Sequence, residues 1–213
     1  RSNAEFALVS ASDIQPKPEN LTFEQAASVS VGALTAWAEV VTAGDVQPGQ
    51  RVLVHGGAGG VGLFAVQLGH WRGARVLATT SVDNLQFVQS LGADEVIDYR
   101  KAPFETVVKD VDVVIDTVGG DMPERSLKFI RPGGRFITIA GKIPPEYGKN
   151  EGVSGVFTGW AKVETLKRIV ELLESGVLRP EVGMVFPLAE VRQAHIESQT
   201  GHGRGRIVLK IAE

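Results

Sequence analysis

The chain has 213 residues, of which 43% are hydrophobic and 22% charged, with a formal net charge of -3. This length suits one large domain or two small ones, and the composition excludes an intrinsically disordered chain. A weakly acidic protein has no polycationic surface, so we expect no nucleic-acid partner. The sequence contains no cysteine and can form neither a disulfide nor a thiolate zinc site.

The apolar runs are too short for a membrane span. Residues 111–118 form the longest, but Asp112 and Asp116 interrupt it, and a span needs about 18 apolar residues. With no secretory signal at the start, we expect a cytoplasmic protein. Ser2-Asn3-Ala4 is typical of the remainder of a cleaved expression tag, and we expect a piece excised from a longer protein.

Two helices are predicted before the first core strand. Thr22-Phe23-Glu24-Gln25 has the form of a capping box, which opens a helix. Leu34, Trp37 and Val40 then recur at helical spacing, and Gly44 marks the end of that second helix. Residues 5–10, further upstream, are predicted to form a strand.

From residue 50 onward, segments with strand and helix periodicity alternate. Strands are predicted at 51–54, 75–80, 95–99, 111–118 and 135–140, with a weaker one at 152–159. Helices are predicted after the first two strands and over residues 163–173, and short strands at 182–186 and 206–211 break the alternation. The pattern predicts an α/β Rossmann fold, a doubly wound parallel sheet of order 3-2-1-4-5-6.

The segment between the first strand and its helix has the pattern G-x-G-x-x-G, Gly57-Ala58-Gly59-Gly60-Val61-Gly62. Gly57 would permit a tight turn, Gly59 would let a pyrophosphate approach the backbone, and Gly62 would let the helix pack closely. The free N–H groups of the first helical turn would then bind the phosphates. The alternative is a tight strand-to-helix connection that binds nothing.

The end of the second strand indicates which dinucleotide is bound. An acidic residue there binds the ribose 2′-hydroxyl of NAD and repels the 2′-phosphate of NADP. Here the strand ends Thr79-Thr80-Ser81, and the first carboxylate is Asp83. NADP is therefore favoured over NAD, and Asp83 is interpreted as the cap of the next helix.

Other chemistry-bearing residues carry weaker signals. Asp116 ends the fourth strand and is either a base or, as a single carboxylate without a visible partner, a structural residue. The four histidines are scattered without metal-ligand spacing, so no metal site is expected. Trp71, Phe157 and Trp160 are expected to belong to the core.

Three motifs together resemble the medium-chain dehydrogenase/reductase superfamily. They are Val52-Leu53-Val54-His55 with the glycine loop, Leu91-Gly92-Ala93-Asp94 followed by Val96-Ile97-Asp98-Tyr99, and Asp112-Val113-Val114-Ile115-Asp116-Thr117-Val118-Gly119. The zinc-independent quinone oxidoreductases are the most similar branch, and the resemblance extends to residues 205–209. It implies a tag and remnant of a GroES-like catalytic domain at 1–21, a Rossmann domain at 22–176, and a segment at 177–213 that returns to the catalytic domain.

The resemblance also implies a cofactor site. Residues 58–61 would contact the pyrophosphate, residues 139–141 would border the nicotinamide, and Thr35 would lie near it. In such relatives a small polar residue, a lysine and a tyrosine surround the 2′-phosphate; Ser81 and Tyr99 match, but Asn84 stands at the lysine position. The predicted cofactor-binding residues are Gly57, Ala58, Gly59, Gly60, Val61, Gly62, Thr80, Ser81, Asn84, Tyr99, Val118, Ile139, Ala140, Gly141 and Thr35. The catalytic residues would lie in the missing domain.

The sequence therefore predicts the cofactor-binding part of an NADPH-dependent oxidoreductase. It would transfer hydride to a small-molecule quinone, enone or related carbonyl without zinc, and this chain alone would be inactive. One alternative is a non-catalytic NADPH sensor, and another is a Rossmann methyltransferase, which the lack of an acid after the second strand disfavours. A homodimer is expected through the edge strand at 153–158.

Overall fold

The computed structural model describes residues 4, 6–159 and 161–211. Six strands form one parallel sheet in the order β3-β2-β1-β4-β5-β6. These strands are β1 Arg51–His55, β2 Arg75–Thr80, β3 Glu95–Asp98, β4 Val111–Asp116, β5 Ile130–Thr138 and β6 Ser154–Phe157. The predicted fold class and strand order are confirmed.

Seven α-helices are described. They are α1 Phe23–Ala27, α2 Ser30–Trp37, α3 Gly62–Trp71, α4 Leu85–Ser90, α5 Met122–Leu127, α6 Thr165–Glu174 and α7 Val191–Gln199. The predicted capping box is confirmed, since Thr22 Oγ1 accepts a hydrogen bond from the Gln25 N–H and Gln25 Oε1 accepts one from the Thr22 N–H. Helix α2 continues directly into a π-helix at Ala38–Ala43.

The central strands are buried on both faces of the sheet. All six residues of β4 are buried, as predicted for a central parallel strand. Alternating residues serve two apolar clusters: Val52 and Val54 pack with α2, α3 and α6, whereas Leu53 packs on the opposite face with Phe104 and Phe136. The sheet therefore holds its carboxyl edge, where ligands of such folds bind, on a rigid base.

Several predicted strand bounds were wrong. β5 begins at Ile130 rather than 135, because Pro132 and the two following glycines fit an irregular register against β4. The fourth strand ends at Asp116 rather than 118, since the Asp116 carboxylate accepts the N–H groups of Val118 and Gly119 and so turns the chain. β3 and β6 are each shorter than predicted.

The segments that flank the Rossmann fold differ from one another. Residues 6–10 form no strand, and the predicted strand at 5–10 is therefore wrong over those five residues, while residue 5 lies outside the described part of the chain. The two predicted C-terminal strands are β7 Val182–Pro187 and β8 Arg206–Lys210, which pair in parallel as a separate small sheet. The division of the chain into domains at 21 and 176 stays a prediction.

Two of the three expected core aromatics can be placed. Trp71 is partly buried, with its ring 5.9 Å from that of Trp37. Phe157 is 57% exposed, so its expected place in the core was wrong, because β6 is an edge strand whose outer side has no covering element among the described residues. Trp160 lies outside the described residues. Among those described, no helix combines the length and apolarity needed to cross a membrane.

Candidate functional site at the carboxyl edge of the sheet

The sequence predicted that Gly57 makes the tight turn that leaves β1. In the structure Gly56 makes this turn. Gly56 has a φ of +78°, in the left-handed region that favours glycine. Gly57 is needed for a different reason, since a Cβ there would lie 3.0 Å from the Ala78 Cβ and 3.2 Å from Val88 Cγ1. A Cβ on Gly62 would overlap the carbonyl oxygen of Gly56, so helix α3 begins in close contact with the loop.

The same loop is open at Gly59. A Cβ on Gly59 would meet only the Gly56 carbonyl oxygen, at 3.4 Å, which is an ordinary contact. The N–H groups of Gly60 and Val61 have no acceptor within the described part of the chain. These donors lie at the N-terminus of the ten-residue helix α3, whose dipole favours negative charge. The arrangement can bind a phosphate or pyrophosphate at the backbone.

Two other segments support the loop from its inner side. Helix α2 packs against it closely enough that a Cβ on Gly32 would overlap the carbonyl oxygen of Gly60. From the C-terminal segment, the Gly205 N–H donates to the carbonyl oxygen of Ala58 at 2.9 Å. Ala58 is consequently buried, whereas Gly59, Gly60 and Val61 remain partly exposed. The predicted pyrophosphate site is therefore partly exposed over 59–61 and open at Gly59, whereas a Cβ on Gly60 would overlap the side chain of Arg206.

The residues predicted around the 2′-phosphate lie together beyond the end of β2. The Asn84 amide donates to Ser81 Oγ at 3.2 Å, and the Tyr99 N–H donates to the carbonyl oxygen of Thr80 at 3.2 Å. Thr80 is buried, Ser81 and Asn84 are half-buried, and Tyr99 is exposed. The interpretation of Asp83 as a helix cap was wrong, because its exposed side chain makes no capping hydrogen bond.

The residues predicted to border the nicotinamide lie where β4 and β5 end. Gly119 has a φ of +77°, and a Cβ there would lie 2.7 Å from the carbonyl oxygen of Ala140. The Ile139 N–H donates to the carbonyl oxygen of Asp116 at 3.3 Å, while Gly141 is exposed and Val118 is 58% exposed. Thr35, the remaining predicted residue, is buried on α2, one turn beyond Gly32.

Asp116 has a structural role rather than that of a free base. Its Oδ1 accepts the N–H groups of Val118 and Gly119, each at 3.0 Å, and its Oδ2 accepts the Thr138 hydroxyl at 2.9 Å. These bonds fix the turn after β4 and join it to the end of β5. A carboxylate so occupied is poorly placed to take a proton from a substrate.

Two further titratable groups are buried beneath this edge. His55 Nε2 lies 3.0 Å from Ser126 Oγ, and burial lowers the pKa of His55 to about 4, against the opposing charge of Asp116. Glu39, on the π-helix, is fully buried, and neither of its carboxyl oxygens has a hydrogen-bond partner among the described residues. Burial, assisted by the charge of Asp116, raises the pKa of Glu39 well above its ordinary value. Glu39 lies in no recognisable motif and was not predicted from the sequence.

The family model described as zinc-binding dehydrogenase matches residues 91–209, more than half of the chain. The chain belongs to this family. A quinone oxidoreductase of Mus musculus is 30% identical over 97% of the chain and 68% of its own length. The mitochondrial NAD(P)H oxidoreductase RTN4IP1 of Danio rerio is 33% identical, and the match covers 100% of the chain and 63% of the relative. These matches confirm the resemblance to the medium-chain dehydrogenases and reductases.

A solved structure of an NAD-dependent alcohol dehydrogenase is also similar. It superposes with a TM-score of 0.92 and 32% identity, over 99% of this chain and 65% of that protein. The chain thus spans less than two thirds of the length of these two proteins, the mitochondrial oxidoreductase and the alcohol dehydrogenase. Although the family's description mentions zinc, the described residues include no group of three or more His, Asp or Glu side chains able to hold a metal.

Proposed function

We propose that this chain is the NADP(H)-binding part of an oxidoreductase that transfers hydride to a quinone, an enone or a related carbonyl. The observation that carries the proposal is the open backbone at Gly59, beside the unpaired N–H groups of Gly60 and Val61. The first N–H groups of any helix lack an intrahelical acceptor, but a tight connection that binds nothing would not need four glycines in six residues, because glycine loses the most conformational freedom on folding. The surrounding glycines allow the close contacts that form this shape.

In the proposed mechanism the bound dinucleotide supplies the hydride from its nicotinamide ring. The N–H groups of Gly60 and Val61 hold the pyrophosphate at the start of α3. The turn at Gly119, locked by Asp116 and packed on Ala140, provides a rigid border for the ring. Rigid placement matters because correct orientation of two reactants lowers the barrier by roughly 7 to 11 kcal/mol.

The preference for NADPH over NADH rests on the end of β2. Ser81 presents a hydroxyl there, and Asp83 lies in the following turn with its carboxylate exposed rather than at the strand end. A hydroxyl can donate to a 2′-phosphate, whereas an acid at the strand end would repel it. Because the similar alcohol dehydrogenase is NAD-dependent, the choice of cofactor needs a direct measurement.

The proposed activity is tested by comparing this chain with the whole protein from which it comes. We expect the whole protein to oxidise NADPH with members of a panel of quinones and enones, and this chain to bind NADPH without turnover. The acceptor would be held by the part of the protein that relatives have and this chain lacks. Comparable rates of NADPH oxidation by this chain and by the whole protein would contradict the proposal that the acceptor is held outside this chain.

Two other functions can be separated from this one. A non-catalytic NADPH sensor would bind the dinucleotide but show no oxidation with any acceptor in the whole protein, so the same assay distinguishes it. A methyltransferase is disfavoured by membership of the dehydrogenase family. The cytoplasmic location stays a prediction, which microscopy of the tagged whole protein would test.

Assembly is a separate part of the proposal. β6 is an edge strand that pairs with β5 alone among the described strands, and its Phe157 is 57% exposed. Edge strands with few charges favour pairing with another chain. We therefore propose a two-fold homodimer through residues 153–158, in which Val153 stays in its own core and the exposed residues form the contact.

A further inference from the structure

An arginine from the far end of the chain lies beside the residues predicted to surround the 2′-phosphate. Arg204 belongs to the segment between α7 and β8, and its Nε donates to Asn84 Oδ1 at 3.0 Å. Its Nη2 donates to the carbonyl oxygen of Asp83 at 3.3 Å. Because the other end of the Asn84 amide donates to Ser81 Oγ, the guanidinium, the amide and the hydroxyl form one connected row.

The guanidinium of Arg204 is held before any ligand arrives. Its Cζ lies 4.5 Å from the centre of the Phe87 ring, a stacked position that restricts the side chain. The side chain remains 40% exposed, so part of the guanidinium is open to an incoming anion. An arginine restrained in this way loses less conformational entropy on binding than a free surface arginine.

The backbone also fixes where Arg204 lies. The next residue, Gly205, has a φ of +64° and donates to Ala58 in the glycine loop. The Arg206 N–H donates to the carbonyl oxygen of Glu181 at 3.1 Å, which anchors the segment to the start of β7. The C-terminal segment is thus tied to the dinucleotide loop on one side of Arg204 and to the small sheet on the other.

We propose that Arg204 supplies the cation that binds the 2′-phosphate of NADPH, at a subsite formed with Ser81 and Asn84. In this arrangement Asn84 orients the guanidinium and the hydroxyl, and the positive charge comes from 120 residues further along the chain. A planar guanidinium can bind phosphate through two parallel hydrogen bonds. The proposal deepens the proposed function and rests on dinucleotide binding at the glycine loop.

One carboxylate competes with the phosphate for this guanidinium. Glu181 Oε1 lies 3.8 Å from Arg204 Nη1, and both side chains are partly exposed. In the free protein the Glu181 carboxylate partly neutralises the charge of Arg204. A bound 2′-phosphate would have to displace this carboxylate or share the guanidinium with it. Removal of the Glu181 charge is therefore expected to favour NADPH.

The test measures the dissociation constants of NADPH and NADH for this chain by fluorescence titration. The variants are Arg204→Gln, Glu181→Gln and a control, Arg192→Gln, which removes the same charge from an exposed position on α7. A lost charged hydrogen bond predicts that Arg204→Gln weakens NADPH about tenfold or more and leaves NADH within about twofold. Glu181→Gln should tighten NADPH roughly two- to fivefold. Arg192→Gln should change neither nucleotide, and equal melting temperatures show that each variant is folded.

The outcomes separate the two proposals. If the wild-type chain prefers NADPH and Arg204→Gln keeps that preference, or weakens both nucleotides equally, the role of Arg204 is wrong while dinucleotide binding stands. If the wild-type chain binds neither nucleotide, the proposed function itself is wrong. The subsite would be established if Arg204→Gln lowers the affinity for NADPH alone by about tenfold, Glu181→Gln raises it and Arg192→Gln leaves it unchanged.

Discussion

Two buried residues beneath the site give the stability of the protein opposite dependences on pH. The pKa of Glu39 is raised by burial, so the stability that its protonated form contributes is present below its ordinary pKa of 4.5 and is lost as the pH rises through the higher folded pKa. His55 behaves in the opposite way. Its pKa falls from 6.5 to about 4, so its contribution is present above 6.5 and is lost as the pH falls through about 4.

This difference predicts a pH-dependent effect of Glu39→Gln. The amide cannot ionise, so the variant escapes the loss of stability that the wild-type chain suffers above pH 4.5, a loss of up to about 1.4 kcal/mol per pH unit. Urea unfolding at pH 5 and pH 8 should therefore show that the free energy of unfolding of the variant rises relative to that of the wild type between the two pH values. A stability difference that is the same at both values would contradict the assignment of a raised pKa to Glu39.

At the scale of single residues, the sequence was informative where a motif fixes the backbone. The glycine pattern correctly located the loop between β1 and α3, but it assigned the tight turn to Gly57, whereas the left-handed residue is Gly56. A pattern of glycines does not say which one has a positive φ and which one avoids a side-chain clash. Arg204 could not have been found, because its approach to Asn84 depends on the tertiary fold and leaves no local signal.

At the scale of elements, strong periodicity and burial decided what could be predicted. β2 was predicted with its observed bounds, and α6 was correctly located from its apolar face. Helices α5 and α7 were missed, because each buries a single small residue, Ser126 and Ala194, and so shows little apolar periodicity. Residues 6–10 are mostly apolar and were expected to form a strand, but a strand needs a partner, and none is present for them within the described residues.

The exposed edge of β6 leads to a prediction about assembly. If the chain dimerises through this strand, Phe157→Lys should weaken the dimer, because it places a charge on an apolar contact. The molar mass measured by light scattering should then fall from that of a dimer toward that of a monomer. Val82→Lys is a matched control, since Val82 is similarly exposed beyond the other half of the sheet. A monomeric wild-type chain at high concentration, or a dimer equally sensitive to the control, would contradict the proposed interface.

At the scale of the whole molecule, the Rossmann sheet and the C-terminal segment together form the candidate site. The fold class and strand order follow from the alternation of strand and helix patterns, which is a local property of the sequence. The contact of residues 204–206 with the glycine loop is not local, since the Gly205 N–H donates to the carbonyl oxygen of Ala58, which lies far away in the sequence. The sequence therefore predicted the frame of the site better than the residues that complete it.

We propose that a nicotinamide dinucleotide binds at the loop between β1 and α3. The most direct test is equilibrium titration of this chain with NADPH and NADH, followed by nicotinamide fluorescence, for the wild type and Gly59→Ala. The added methyl group meets only the Gly56 oxygen at 3.4 Å, so the variant should keep its melting temperature while its Cβ obstructs the pyrophosphate. We expect saturable binding of both nucleotides to the wild type, tighter for NADPH, and an affinity about tenfold or more weaker for both in the variant. Absence of saturable binding to the wild type, or unchanged affinities in the variant, would contradict it.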